Sequence, residues 1–117
     1  FIGEEIFGKP ESPEDHLKRL KQLRGQRHEL VTGVCLVDAA GEQRFHVQTG
    51  IVFREDLSDD ELERYVASGE GAGCAGGYRI EGRGAWLIER VDGDWFNVVG
   101  LPVLEVVSRL RTKGWRF

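Results

Sequence analysis

The feature that most constrains the fold is a pair of β-type segments separated by a short turn. Residues 30–37 (LVTGVCLV) are nearly all apolar and many are β-branched, which is typical of a strand buried on both faces. From Phe45 to Phe53, apolar side chains alternate with polar ones, which is typical of a strand with one buried face. Because only a short turn at residues 39–42 separates the two segments, the sequence predicts a long hairpin. Cys35 is expected to pack in the core.

Two helices are predicted from capping signals. Ser12 precedes Pro13 and can cap a first helix, which Gly25 ends. Ser58 and Glu61 stand three residues apart and predict a capping box for a second helix. The apolar residues expected to face inward are Leu17, Leu20 and Leu23 in the first helix and Leu62, Tyr65 and Val66 in the second.

The C-terminal third is predicted to contain a second hairpin and a last helix. Asp92-Gly93-Asp94 separates residues 85–91 from residues 95–99, and Asp-Gly is a hairpin turn signal. The last helix follows Pro102, with Leu104, Val107 and Leu110 facing the core. With a short strand in residues 1–8, the order is β-α-β-β-α-β-β-α. This order predicts a single mixed α/β or α+β domain over residues 1–117, with a mixed twisted sheet and flanking helices.

Charge and composition exclude several classes of protein. The net charge of −4 argues against DNA or RNA as a partner. No apolar run approaches the roughly 20 residues of a membrane helix, so no membrane partner is expected. Two cysteines, Cys35 and Cys74, do not make a disulfide framework, which favours a cytoplasmic location. The chain begins with Phe1 and contains no methionine, so we expect it to be part of a longer protein.

Seven of the 16 glycines lie between residues 69 and 84. Residues 71–76 match the pattern G-x-G-x-x-G, but a dinucleotide fingerprint needs a strand before it and a helix after it. Here a predicted helix precedes and a predicted strand follows, so we interpret the segment as a glycine-rich loop. His16, His28 and His46 lie on different elements without ligand spacing, and no zinc site is predicted from them.

Two segments carry candidate binding residues. Pro10 favours an extended backbone at Lys9, whose ammonium can then face a phosphate, although an exposed lysine without function is the alternative. Glu81 is flanked by Arg79 and Arg83. Its carboxylate can accept hydrogen bonds from the N–H edge of a ligand, or it can belong to a surface ion-pair cluster.

Taken in order, these pieces resemble the Maf septum-formation family, nucleoside triphosphate pyrophosphatases related to the inosine triphosphatases. The resemblance covers essentially the whole chain and implies an inosine-triphosphatase-like fold. The matching stretches are Gly8-Lys9-Pro10 and residues 28–34, 52–54, 57–59, 65–70, 75–78, 80–82 and 97–102.

The resemblance also implies an activity and a set of site residues. The implied reaction is hydrolysis between the α- and β-phosphates of a nucleoside triphosphate, with a divalent cation, Mg²⁺ or Mn²⁺. Lys9 matches the lysine of the family's G-K-P motif, a phosphate contact. Thr32 matches a family position, and Arg83 is expected to assist Glu81 in substrate binding. The metal ligands stay unassigned.

The chain departs from the family pattern at two places. The S-x-P-R-R motif and the catalytic Asp-Thr pair are absent, and the general base is expected upstream of Phe1. Glu81 stands where many members carry Gln in an I-Q-G motif. Because a carboxylate only accepts hydrogen bonds, it suits the N1–H and N2–H₂ groups of guanine, and its charge favours 7-methylguanine. Glu81 together with Cys74 resembles the branch that hydrolyses 7-methyl-GTP.

Two alternatives come from other functional classes. The chain can be a non-catalytic nucleotide-binding or regulatory module linked to cell division, which predicts saturable binding without pyrophosphate release. It can also be half of a homodimer, in which an exposed strand edge pairs with another chain.

Overall fold

A computed structural model describes residues 8–116 of the chain. The helices and strands in these residues are α1 (Pro13–Leu23), β1 (Arg27–Asp38), β2 (Gly41–Phe53), α2 (Asp59–Ala67), β3 (Ile88–Asp92), α3 (Trp95–Val99) and α4 (Val103–Thr112). Two 3₁₀ turns, Ala75–Gly77 and Arg83–Leu87, lie between α2 and β3. The predicted mixed α/β class is confirmed, whereas the strand predicted in residues 1–8 lies outside the described residues except for Gly8.

The long hairpin forms as predicted. β1 and β2 pair antiparallel from Arg27 opposite Val52 to Asp38 opposite Gly41. Asp38 stabilises the tight turn by accepting a 2.9 Å hydrogen bond from the amide of Ala40, and its carboxylate lies 2.7 Å from Nζ of Lys113. β3 adds antiparallel to β2, so the described sheet has the order β1-β2-β3.

The capping signals position α1 and α2 as predicted. Ser12 Oγ accepts from the amide of Asp15 at 3.0 Å, and α1 ends before Gly25, which has a φ of +72°. Ser58 and Glu61 form the predicted capping box at the start of α2. The two helices bury their apolar faces against the base of the hairpin. The core residues are Leu20, Leu23, Ile51, Phe53, Leu62, Tyr65, Tyr78 and Leu87.

Two predictions about β1 are wrong. The strand is not buried on both faces, because its side chains alternate between half-buried and exposed along residues 31–37. Cys35 is exposed and is therefore not a core residue. α3 contacts both β1 and β2, and Arg109 of α4 lies over the ring of Phe45, but every second side chain of β1 along residues 31–37 stays exposed. The apolar, β-branched composition of β1 therefore reflects strand propensity more than burial.

The prediction of a second hairpin is also wrong. Residues 95–99 form the short helix α3, because Asp94 caps it by accepting from the amide of Phe96 at 2.9 Å. The same carboxylate accepts from the amide of Leu104 at 3.0 Å and so ties α3 to α4. β3 pairs with β2 instead of with residues 95–99.

The last helix forms after Pro102, but its predicted inward face is wrong at two positions. Leu104 is 57% exposed and Val107 is 43% exposed, whereas Leu110 is half-buried. No helix within residues 8–116 is long and apolar enough to cross a membrane.

Candidate functional site

The glycine-rich loop closes on itself and on the segment that carries Lys9. A Cβ atom at Gly71 would lie 2.1 Å from the carbonyl oxygen of Gly77, so a side chain at Gly71 would not fit. Nε2 of His16 contacts that same carbonyl oxygen and holds it. Helix α2 precedes residues 71–76 and the 3₁₀ turn Ala75–Gly77 overlaps their end, so these residues lack the preceding strand and following α-helix of a dinucleotide fingerprint.

Lys9 is exposed and lies beside this loop. The amide of Gly76 donates to the carbonyl oxygen of Gly8 at 3.1 Å, and the guanidinium of Arg19 donates to the same oxygen. Pro10 packs near Gly77 on the other side of Lys9. The backbone on both sides of Lys9 is therefore anchored, while its ammonium is left accessible to an anionic ligand.

Glu81 lines a cavity of about 350 Å³, a size within the range of small-molecule sites. The cavity combines apolar lining residues with the exposed residues Glu81 and Arg79. Its lining residues are Leu30, Cys74, Ala75, Tyr78, Arg79, Ile80, Glu81, Val98 and Val99. A flat ring with N–H donors on one edge suits such a cavity, because its faces need apolar contact and its edge needs acceptors.

Arg83 is not among the residues that line this cavity. It lines a different one, of about 410 Å³, with Arg64, Tyr65 and Trp86 among its neighbours. In an extended strand, Arg79, Glu81 and Arg83 would share one face. Gly82 instead donates its amide to the carbonyl oxygen of Arg79 at 3.2 Å, and this turn breaks the alternation. Arg79 is therefore the arginine that lines the cavity with Glu81, a placement that charge pattern alone did not reveal.

Thr32 is half-buried in the middle of β1, opposite Val47. It lies two residues from Leu30, which lines the cavity, so both side chains point to the same face of the sheet. Cys74, whose thiol is free, lines the cavity as well. The structure thus places Thr32 on the cavity's side of β1 without making it a wall residue.

One wall of the cavity is held by buried aromatic rings. Tyr78 packs edge-to-face on Phe53 and on His28, with ring centroids 5.0 and 5.5 Å apart. Its hydroxyl shares a 2.6 Å hydrogen bond with Nε2 of His28. Nδ1 of His28 is buried without a hydrogen-bond partner among the described residues. Burial lowers the pKa of His28 from 6.5 to about 4, because the apolar surroundings disfavour the imidazolium.

Because His28 is buried with a lowered pKa, the folded protein is expected to lose stability in mild acid. The unfolded chain binds a proton at His28 below pH 6.5, whereas the folded chain does so only near pH 4. The free energy of unfolding is therefore expected to fall by on the order of 3 kcal/mol between pH 6.5 and 4. Urea unfolding across this range checks the prediction.

His28→Gln is expected to flatten this pH dependence, since glutamine does not titrate. His46 is exposed on β2, and His46→Gln serves as the matched control that keeps the slope. Equal slopes in the His28→Gln variant and the unsubstituted protein would contradict the assignment to His28.

Within residues 8–116, no group of three or more His, Cys, Asp or Glu side chains is arranged to hold a metal ion. The divalent cation implied by the family resemblance is therefore not assigned to residues of this part of the chain.

Comparison with known proteins places the chain among close relatives. The family model described as Maf-like protein matches residues 1–113. A dTTP/UTP pyrophosphatase of Pyrococcus furiosus is 45% identical over 107 residues, which cover 92% of this chain and 56% of the relative. One from Geobacillus is 39% identical over 110 residues, covering 94% of this chain and 59% of the relative. One from Dictyoglomus turgidum is 41% identical over 115 residues, covering 95% and 58%. The chain thus spans somewhat more than half the length of these relatives.

Proposed function

The chain belongs to the Maf family, and from this premise we propose that the protein containing it is a nucleoside triphosphate pyrophosphatase. Relatives named dTTP/UTP pyrophosphatase, at 39 to 45% identity, support this activity. The observation that carries the proposal is the cavity lined by Glu81 and Arg79: its wall includes Cys74 and Ala75 of the glycine-rich loop, which is hydrogen-bonded to Gly8 beside Lys9. One end of the site suits a base, and the other offers a cation to a phosphate chain.

The proposed reaction is attack of water on the α-phosphorus, which breaks the bond to the oxygen bridging the α- and β-phosphates. The products are a nucleoside monophosphate and pyrophosphate. In this reaction Glu81 holds the base edge, and Lys9 stabilises negative charge on the phosphates. A general base, which is not assigned to a residue of this chain, takes the proton of the attacking water. A divalent cation is proposed to accompany the triphosphate.

Two observations favour different substrates within this class. The names of the relatives favour dTTP and UTP. Glu81 favours a base edge made only of donors, because a carboxylate offers no donor of its own. Guanine presents such an edge through N1–H and N2–H₂, and 7-methylguanine adds a positive charge. We therefore propose a preference for guanine-type triphosphates, with 7-methyl-GTP as the favoured member.

Release of pyrophosphate from a panel of triphosphates tests the function. The panel contains dTTP, UTP, GTP, 7-methyl-GTP, dATP and dCTP, each with Mg²⁺ and with Mn²⁺. If pyrophosphate release is fastest with 7-methyl-GTP or GTP, the result supports both the activity and the base preference. Turnover led by dTTP or UTP supports the activity and overturns the preference. Saturable binding without pyrophosphate release identifies the regulatory module instead.

Lys9→Ala is expected to lower kcat/KM for every triphosphate by a similar factor, about 10- to 100-fold. The reason is that an ammonium on the phosphates contacts a group that all these substrates share. Steady-state kinetics with two different bases checks the prediction. Lys18→Ala, an exposed lysine on α1, is the control. A loss confined to one base, or no loss at all, would remove Lys9 from the phosphate site.

A further inference from the structure

The turn formed by residues 79–84, which presents Glu81, is held at both ends by two side chains from α2 and the residues after it. The hydroxyl of Tyr65 accepts from the amide of Arg79 at 2.9 Å. The carboxylate of Glu70 accepts from the amide of Arg83 at 3.0 Å through Oε2, and from that of Gly84 at 2.9 Å through Oε1. Tyr65 also donates its hydroxyl proton to Oε1 of Glu70 at 2.8 Å. One connected group of hydrogen bonds therefore fixes the backbone on either side of Glu81.

The turn packs closely against the carboxylate of Glu70. A Cβ atom at Gly82 would lie 2.5 Å from Oε2 of Glu70, and one at Gly84 would lie 2.3 Å from the carbonyl oxygen of Arg79. A side chain at Gly82 would push the turn away from Glu70, and one at Gly84 would force the two ends of the turn apart. Gly82 thus allows the backbone to approach the carboxylate, and Gly84 allows the turn to close.

The electrostatics keep Glu70 in the accepting form. The hydrogen bond from the amide of Arg83 lowers the pKa of this carboxyl, and the bonds from Tyr65 and Gly84 act in the same direction. An ionised carboxylate can accept all three hydrogen bonds at once, which a protonated one would do less well.

Glu70 acts on the cavity through the turn. Among the described side chains that line the cavity, Glu81 and Arg79 are present and Glu70 is absent. Its carboxylate accepts hydrogen bonds from the amides of Arg83 and Gly84 and from the hydroxyl of Tyr65. Its backbone amide donates to Oγ of Ser68, and its carbonyl has a weak contact with the thiol of Cys74. A change at Glu70 would therefore reach a ligand by moving Glu81.

We propose that Glu70, with Tyr65, is a positioning residue that sets the orientation of Glu81 and so determines which base the cavity accepts. This inference rests on the proposed function, since it assigns a selectivity role within that same site. The physical reason is preorganisation: a carboxylate that must be ordered upon binding loses part of its discrimination between ligands.

Glu70→Gln tests this role with little change in volume. The amide keeps one acceptor oxygen, so one of the amides of Arg83 and Gly84 faces an NH₂ group instead. The ratio of kcat/KM between the preferred and the least preferred triphosphate is expected to fall about tenfold. KM for the preferred triphosphate should rise while kcat changes less than about twofold, because no residue of the turn is assigned to the phosphates. A merely destabilised protein would instead lose kcat at constant KM for every substrate.

A second variant and a double variant keep the test decisive. Tyr65→Phe releases the amide of Arg79 at the other end of the turn and should lower the same ratio. In a Glu81→Gln background, Glu70→Gln should no longer alter the ratio, since its effect passes through Glu81. Glu63→Gln, an exposed residue on α2, is the matched control.

The outcomes separate the two proposals. If the unsubstituted protein releases pyrophosphate but Glu70→Gln and Tyr65→Phe leave the selectivity ratio unchanged, the positioning role is overturned and the proposed function stands. If the unsubstituted protein turns over no triphosphate, the proposed function fails and the positioning role fails with it.

Discussion

Glu81→Gln is expected to change the base preference of the protein by about 100-fold, the largest functional effect that this site predicts. The carboxylate offers two acceptor oxygens, whereas the amide offers one acceptor and two donors. The donors of a guanine edge then face one acceptor oxygen of residue 81 instead of two. A uracil or thymine edge, which carries both donor and acceptor groups, gains a complementary partner. The ratio of kcat/KM for 7-methyl-GTP over dTTP should therefore fall. Competition between these two triphosphates in one reaction measures the ratio directly.

The matched control for this substitution is Glu89→Gln. Glu89 is exposed on β3 and is not among the residues that line the cavity. It should leave the ratio unaltered. An unchanged preference in Glu81→Gln would show that the base is recognised elsewhere, and the proposed guanine preference would then have no residue to support it.

Phe53→Ala is expected to cost about 3–5 kcal/mol of unfolding free energy, the largest loss of stability predicted here. Phe53 is 0% exposed and belongs to the core between the helices and the base of the hairpin. Its ring packs edge-to-face on Tyr78 and on His28, with centroids 5.0 and 5.4 Å apart. Removing the ring leaves a cavity behind one wall of the ligand site. Urea unfolding followed by fluorescence or circular dichroism gives the change in free energy.

The control for Phe53→Ala is Val37→Ala near the hairpin tip, where the side chain is 73% exposed. Its expected cost is below about 1 kcal/mol, which reflects strand propensity alone. A loss of less than about 1 kcal/mol in Phe53→Ala would mean that the core tolerates the missing ring by collapse. In that event Tyr78 would be expected to move, and ligand affinity would change as well.

The elements that the sequence predicted correctly depend on neighbours close in the chain. Ser12 bonds to the amide three residues on, and so does Ser58 in the capping box of α2. The hairpin is similar, since a two-residue loop between Asp38 and Gly41 sets the register of every later pair. Such signals act over a few residues and can be recognised without knowledge of the rest of the fold.

The predictions that were wrong concern elements whose state depends on distant partners. Asp92-Gly93-Asp94 is a good hairpin signal, but the carboxylate of Asp94 caps α3 and also accepts a hydrogen bond from the amide of Leu104. β3 then pairs with β2, about 40 residues earlier in the chain. In the same way, the apolar residues of β1 do not reveal that every second side chain along residues 31–37 stays exposed.

In the candidate site, too, some features can be predicted from nearby residues and others depend on distant contacts. Lys9 and Glu81 could be singled out from residue type and local backbone preference, because a lysine before proline and a carboxylate between two arginines are visible in the chain itself. Which arginine lines the cavity with Glu81 depended on a turn at Gly82. The role of Glu70 depended on hydrogen bonds to residues 13 and 14 positions away. Local patterns thus identify candidate groups for binding a ligand. Their orientation follows from tertiary contacts, because the amides of residues 79–84 reach Tyr65 and Glu70 only after the turn has packed against α2 and the residues that follow it.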